Sequence, residues 1–450
     1  MKFSIIVPMY NAEKHVTKAI ESLINQTVDF KRTTKIILVD DGSTDQTYKV
    51  CKEFTDQYPD NIVYIYTENS GPGSARNKGL DALPPSTEYV GFLDADDYLS
   101  PDTIEKVDEF FNNNCNVQLA VIPIYHFGRI DTPQRLNYRF EKGSRIINIL
   151  DEYTGIHFHI GGCFFKATHF INNTKWRFPN LRAWEDALLI NSFLLEYQRY
   201  GVISEAKYYY RKHWEDHSLV NSNWYRKFRY TEMIRNCYLV LVNKSCTLYG
   251  EAIPYIQFLI IYHIRLYLFP KNNQIIFKVL NEQEQKEFFN EFVQLLQRFD
   301  DVYIKKQDMP FYYKKYLLNL KKHGWPYKNS HKKLSQQNVT ITDLKIKGLK
   351  WHLEGNFMNT LYFMNPDDRL FIKWKNKVIY LPKVLLPSKR REIWGTVVRD
   401  YEHAGFKVTI PLYYLKFQFG IKIGTKKFIL NKVDLLKERK QRKTIDQNEK

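Results

Sequence analysis

Residues 92–100, FLDADDYLS, put three carboxylates, Asp94, Asp96 and Asp97, into four positions after the mostly apolar run Tyr89-Val90-Gly91-Phe92-Leu93. Like charges this close repel, and desolvation adds to the cost, unless a cation or a solvated turn relieves them. Two polar clusters stand upstream. VDDGSTD (39–45) brings Asp40 and Asp41 together and could by itself be a helix-capping turn. NSGPGSARNKGL (69–80) has glycines that let a backbone approach a phosphate, and Arg76 to pair with one. Alone it could be a flexible loop before a helix. Each cluster has a commonplace explanation, but their order and spacing on successive strand ends make one shared site the better reading.

The elements that must position these residues alternate. FSIIVPMY (3–10) is a buried run, after which Asn11 is placed to cap the helix AEKHVTKAIESLINQ, with Val16, Ala19, Ile20, Leu23 and Ile24 on one face. KIILVD (35–40) is a second run, followed by a helix that Ser43 or Thr44 could cap. NIVYIYTE (61–68) is a third, and EYVGFLDAD (88–96) a fourth. Repeated β-α units imply a mostly parallel, doubly wound α/β sheet with right-handed crossovers, and such sheets bind ligands beyond the carboxyl ends of their strands. Pro8 to Asn11, Asp40-Asp41, Asn69 to Arg76 and Asp94 to Asp97 all lie there.

Residues 116–225 are mixed, and 226–330 read as helical and aromatic-rich. After the polar basic stretch KNSHKKLSQQN (328–338), residues 339–430 alternate with the period of strands, which predicts an antiparallel β-sandwich-like domain; 431–450 read as a basic tail. An aromatic content of 16% excludes a disordered chain. Sixty-seven Lys and Arg against 49 Asp and Glu give a net charge of +18, which favours anionic partners: nucleic acid, an anionic membrane face or phosphate-bearing substrates. Five scattered cysteines with no C-x-x-C argue against a disulfide framework or zinc site and are compatible with a reducing cytoplasm. The apolar run near Met1 is too short for a secretory leader. The stretch 253–269, IPYIQFLIIYHIRLYLF, carries His263 and Arg265 and falls short of the roughly 20 residues of a spanning helix, so a buried or interfacial helix is expected. The expected location is cytoplasmic, with peripheral contact at the inner face of an anionic membrane.

As an ordered set, IIVPMYNAEKHVTKAIESLINQ, IILVDDGSTDQT, ENSGPGSARNKGL and FLDADDYLSPDTI, continuing more weakly to WEDALL, resemble the family 2 glycosyltransferases, whose nucleotide-sugar-binding domain has the GT-A fold. The resemblance spans roughly the first 220 residues. It implies a nucleotide-sugar-binding half over 1–115 and an acceptor half over 116–225, with a hexosyl or N-acetylhexosaminyl group transferred from a nucleotide donor, usually UDP-linked, with inversion. By resemblance Pro8 and Tyr10 belong to the nucleoside pocket, Tyr10 stacking on the base, and Asp41 or else Asp40 accepts from the uracil imide. Asn69 and Arg76 would lie near base and diphosphate. Asp94 and Asp96 match the family's D-x-D, Asp94 near the ribose or metal and Asp96 as direct ligand, a hard-oxygen set suited to Mn²⁺ or Mg²⁺. Glu185-Asp186 matches an E-D pair, with Asp186 as general base and Glu185 as acceptor contact, although two acids at a helix start also complement its dipole. In YYYRKHWEDHS, Arg211, Lys212, His213 and Ser218 resemble a segment that closes over the diphosphate, His213 either completing the metal shell or being a surface histidine. Trp184 is either a wall for a sugar ring or buried packing, and Gly161-Gly162 either admits an acceptor or marks a turn.

Behind such a catalytic domain, a helical segment and a C-terminal β-domain look like enzymes that glycosylate teichoic acid or assemble capsule and other surface polysaccharides. The expected acceptor is a cell-surface glycan or polyanionic polymer, and a homo-oligomer formed through the β-domain is a further expectation. A nucleic-acid partner is disfavoured, because no groove-reading or stacking module is present and the conspicuous site is acidic. Two other readings are an inactive scaffold of the same fold and a metal-dependent nucleotidyltransferase. The latter would typically show a Gly-rich basic loop where this chain has PMYNAEK.

Overall fold

The first strand, β1 (Phe3–Met9), is buried at every residue, as a strand covered on both faces must be. The computed structural model describes residues 1–212, 222–327, 331–359 and 362–448. The chain divides into two compact units, Met1–Ile264 with Ile276–Gln307, and Arg265–Ile275 with Asp308–Lys450.

In the first unit follow β2 (Thr34–Asp40), β3 (Ile62–Tyr66), β4 (Tyr89–Phe92), β5 (Tyr98–Leu99), β6 (Leu119–Val121), β7 (Ile124–Gly128), β8 (Arg145–Asn148), β9 (Cys163–Lys166), β10 (Arg199–Val202) and β11 (Tyr208–Lys212). The large sheet has the order β3-β2-β1-β4-β9-β6-β10-β8. Its β1–β4 pairings are all parallel, while β9 runs antiparallel between β4 and β6. A small second sheet, β5-β11-β7, stands beside it. Helix Val16–Ile24 buries Val16, Ala19, Ile20 and Leu23 on one face, and burying each of Val16, Ile20 and Leu23 contributes roughly 1.5–3 kcal/mol.

Asn11 does not cap that helix. It takes a left-handed φ of 49°, and its side chain accepts the N–H of Thr44 at 2.8 Å, while its own N–H goes to Ser43 Oγ. Neither Ser43 nor Thr44 stands at the next helix start either: that helix is Thr47–Gln57, and Asp45 accepts the N–H of Thr47. These short polar side chains tie the ends of β1 and β2 together instead. The helix Pro72–Asp81 lies so close to β1 that a Cβ on Gly79 would sit 2.5 Å from Ile6 Cγ2.

The helical stretch does not form a unit of its own. Helices Leu239–Tyr249, Pro254–Ile264 and Glu282–Gln297 belong with the sheet, the last opened by a capping box between Asn281 and Glu284. Pro254–Ile264 is the core of the 253–269 stretch and is apolar nearly all round because it is interior: Ile256, Leu259, Ile260 and Ile264 have no exposed surface. Its Tyr255 hydroxyl accepts the N–H of His157 and donates to Asn191 Oδ1. Among the described residues no helix is long and apolar enough to cross a membrane.

The second unit includes the helix Phe311–His323 and strands β12 (Thr340–Lys347), β13 (Lys350–Asn356), β14 (Arg369–Trp374), β15 (Lys377–Tyr380), β16 (Lys383–Val384), β17 (Arg391–Ile393), β18 (Thr396–Arg399), β19 (Gly405–Pro411), β20 (Lys416–Ile423) and β21 (Lys426–Asp434). Two four-stranded antiparallel sheets, β12-β13-β19-β16 and β15-β14-β20-β21, enclose one core in which Trp351, Leu353 and Phe406 meet Ile372, Phe419 and Ile421. The last strand runs past residue 430 to Asp434, and the stretch expected as a tail continues as the helix Leu435–Asn448.

Candidate active site

Four polar turns meet where β1, β2, β3 and β4 end. The second turn organises the third: Asp41 is 4% exposed, and its two oxygens accept the N–H groups of Ser70 and Gly71, each at 2.8 Å. Burial pushes the Asp41 carboxyl up, partly opposed by those two bonds. Gly71, with φ +91°, then hands the chain to the helix Pro72–Asp81 that carries Arg76. Asp40, the other candidate of this turn, is committed to Ser43 N–H and the Tyr64 hydroxyl. Tyr10 is 54% exposed and Asn69 is exposed, whereas Pro8 is buried within β1 opposite Val39.

Arg76, expected beside base and diphosphate, is tied to two carboxylates of the protein. Its guanidinium is buried, donating to Asp94 Oδ1 at 2.8 Å and to Glu185 Oε1 at 3.2 Å. It thereby joins the D-x-D turn to the E-D pair. Burial works to raise the Asp94 carboxyl, but Arg76 outweighs it and holds Asp94 below the usual range. Glu185 is pushed up to about 7 by burial and by Asp186, against the pull of Arg76. Asp186 is pushed up to about 6 by burial, again opposed by Arg76.

Trp184, just before this pair, is buried packing. Its φ is +69°, its indole stacks on His263 at 5.0 Å, and it meets Tyr238 edge-on. Gly161 has a packing explanation as well, since a Cβ there would lie 2.6 Å from the Tyr208 ring.

Within the acidic turn the three carboxylates divide their work. Asp97 is buried and structural: it accepts from the Tyr208 hydroxyl and from Arg211 N–H, each at 2.7 Å. Burial, then Asp96 and Asp94, push its carboxyl well up. Asp94 and Asp96 keep partial exposure. Arg211 sends its side chain to the imidazole of His15, while His213 and Ser218 lie outside the described residues. Tyr208 was not legible as a site residue, yet its hydroxyl accepts the Asp94 N–H and donates to Asp97, fixing the turn from β11. Nothing in the run YYYRK distinguishes it from a core tyrosine.

Among the described residues no group of three His, Cys, Asp or Glu converges as a metal site. Asp94 and Asp96 nonetheless fit a hard divalent cation of the Mg²⁺ or Mn²⁺ kind. Such ions take one or two carboxylates and complete their shell with water and substrate phosphate. The arrangement brings together two partly exposed carboxylates, Asp94 and Asp96, one buried guanidinium, and a second carboxylate pair with raised proton affinity.

The model of glycosyl transferase family 2 matches residues 4–169. Over 437 residues, 97% of this chain and 98% of the relative, the sequence is 40% identical to minor teichoic acid biosynthesis protein GgaA of Bacillus subtilis. It is 30% identical to GgaB of the same organism, covering 91% of this chain but 46% of GgaB. Among solved structures, S. aureus TarS 1-349 in complex with UDP-GlcNAc is similar in fold, with a TM-score of 0.56 over 72% of this chain and 88% of that one, at 23% identity. With the sheet order, the four strand-end turns and the E-D pair in place, the chain belongs to glycosyl transferase family 2 and is a glycosyltransferase.

Proposed function

We propose that this glycosyltransferase moves a sugar from a UDP-linked donor, with inversion, onto a hydroxyl of a teichoic-acid-type polymer, and that Asp186 takes the hydroxyl proton. The observation that carries it is the bridge Asp94–Arg76–Glu185 beside Asp186, which sets a diphosphate-side carboxylate and a proton-accepting pair around one cation. An Asp186 carboxyl pushed up to about 6 is still ionised at neutral pH and is a stronger base than an ordinary aspartate, as general-base catalysis wants. Glu185, raised further, can carry a proton near neutral pH and donate it in a hydrogen bond to an acceptor oxygen. Tyr10, half-exposed, offers a stacking face to uracil, and Asp41, held by Ser70 and Gly71, presents its remaining lone pairs to the imide. Asn69 and Arg211 lie on the donor side in this reading. Asp94 and Asp96 would hold Mn²⁺ or Mg²⁺. When bound, the ion supplies neutralisation of the charge that develops on the departing diphosphate.

Support for the acceptor class is the likeness to GgaA, a minor teichoic acid biosynthesis protein, and the strong positive charge of the chain. Support for the donor is the shared fold with TarS, crystallised with UDP-GlcNAc. The test is transfer from a panel of UDP-sugars, with Mn²⁺ or EDTA, to poly(glycerol phosphate) and poly(ribitol phosphate), the product's anomeric configuration being read by NMR. Inverted product that disappears with Asp186→Asn is expected. Retained configuration, or undiminished transfer by that variant, removes the base assignment, and no donor binding at all revives the scaffold reading.

A further inference from the structure

Lysines far apart in the chain converge on the outer face of the second sheet of the C-terminal unit. In the register of β14, β20 and β21, Lys373 stands opposite Gln418 and Gln418 opposite Lys432, so the three form one rung. The next rung pairs Lys416 with Asp434. With Lys375 at the end of β14 and Lys437 on the following helix, they line an open groove of about 680 Å³. Two acids, Asp434 and Glu438, line it against five lysines and do not balance the charge. Asp434 is spent on Lys416 at 3.3 Å and on the backbone N–H groups of Leu436 and Lys437. Among the described residues Lys373, Lys432 and Lys437 have no carboxylate within ion-pairing distance.

Lys373 and Lys432 flank Gln418 on one rung with Lys416 on the next, so positive charge gathers on this face and a bound polyanion would neutralise it. Rungs two residues apart lie roughly 7 Å apart along a strand, and strands roughly 5 Å apart across it, so one small anion cannot meet all the lysines. A chain of regularly spaced monoanions can. The groove's aromatic lining residue, Phe417, is buried, so no ring stands out for bases to stack on. We infer that this groove binds a base-free phosphodiester polymer, holding an alditol phosphate acceptor through its backbone at a site other than the catalytic one. The inference rests on the acceptor class proposed above and adds a second holding point, which raises the local concentration of acceptor hydroxyls for a polymer but not for a monomer.

The test uses the full chain, a fluorescein-labelled glycerol phosphate oligomer, and anisotropy titrations over a range of salt. Lys373→Gln with Lys432→Gln should weaken binding about tenfold at low salt and lower the salt slope by about 1 to 2, as loss of two phosphate contacts would. The doubly conservative Lys373→Arg, Lys432→Arg chain should keep it, and Lys426→Gln with Lys427→Gln, at the other end of β21, should change it little. Transfer to a monomeric glycerol phosphate acceptor should be unchanged in the groove variant, while KM for the oligomer rises. Equal binding by the groove and control variants overturns the inference. So does groove-dependent binding of phosphatidylglycerol vesicles or of an RNA oligomer without the glycerol phosphate oligomer. Absence of transfer to either acceptor by the native chain, with groove-dependent oligomer binding intact, overturns the proposed reaction and leaves the groove assignment standing.

Discussion

Trp184 stacks on His263 with ring centroids 5.0 Å apart and planes 25° from parallel, and it does so in a left-handed backbone conformation. That conformation costs a bulky residue roughly 1–3 kcal/mol and persists only where its surroundings impose it. His263 is itself fixed, Nδ1 meeting the Tyr238 hydroxyl at 2.5 Å and Nε2 facing Arg229 at 3.2 Å. A helix read from sequence as merely apolar thus sets how the helix bearing Glu185 and Asp186 begins.

Replacing His263 by alanine removes the stack and leaves Tyr238 without this partner. We expect a loss of about 1–3 kcal/mol in urea unfolding and a lower kcat with donor affinity little changed. Unaltered kcat in a destabilised but folded variant would confine His263 to packing.

Arg76→Ala should be the most damaging single change at the site. It leaves buried Glu185 and half-buried Asp94 without their cation, a loss of about 3 kcal/mol. Arg76→Lys keeps the charge but loses the fork that spans both carboxylates, so an intermediate denaturant midpoint is expected.

The acid limb of kcat/KM should fall near pH 6, with the rate rising with pH as Asp186 ionises, and Asp186→Asn should abolish turnover across the range. Stability carries the opposite sign for Glu185. The folded chain binds its proton more tightly than the unfolded one, about 7 against 4.5, so its contribution is full below pH 4.5 and is lost as pH climbs through 7. Melting midpoints against pH should decline less over that window in Glu185→Gln.

Tyr208→Phe takes a hydrogen-bond donor from buried Asp97 and an acceptor from Asp94 N–H. A loss of about 1–3 kcal/mol is expected, together with weaker Mn²⁺ binding in the presence of UDP by electron paramagnetic resonance. Equal Mn²⁺ affinity would separate the turn's rigidity from its proposed ligand role.

Asp41→Ala frees Ser70 and Gly71 and so loosens the entry to the helix of Arg76. Calorimetric titration with UDP should show at least a tenfold rise in Kd, about 1.4 kcal/mol.

The catalytic sheet was legible because buried parallel strands read as unbroken apolar runs, and a doubly wound sheet leaves only the carboxyl ends of its strands for polar clusters. The partners across those ends were not. Arg76 sits 18 residues from Asp94 and 109 from Glu185, and only the folded sheet brings them together. Asn11 has the side chain of a cap, but its backbone turns left-handed and the side chain bonds to Thr44 instead. The basic groove escaped for the same reason: Lys373, Lys416 and Lys432 lie apart in the chain and adjoin only through strand register.

The helix Pro254–Ile264 has a practical consequence for dissecting the enzyme. Tyr255 holds both His157 and Asn191, and Gln257 and Phe258 bond to Asp300 and Gln307. A fragment ending near 225, where the family resemblance fades, would strip Tyr255 from His157 and Asn191 and expose an apolar wound. The chain also passes to the second unit at Arg265–Ile275 before returning at Ile276–Gln307. No single protease cut can therefore part the two units cleanly: a fragment that keeps all of one takes a segment of the other with it.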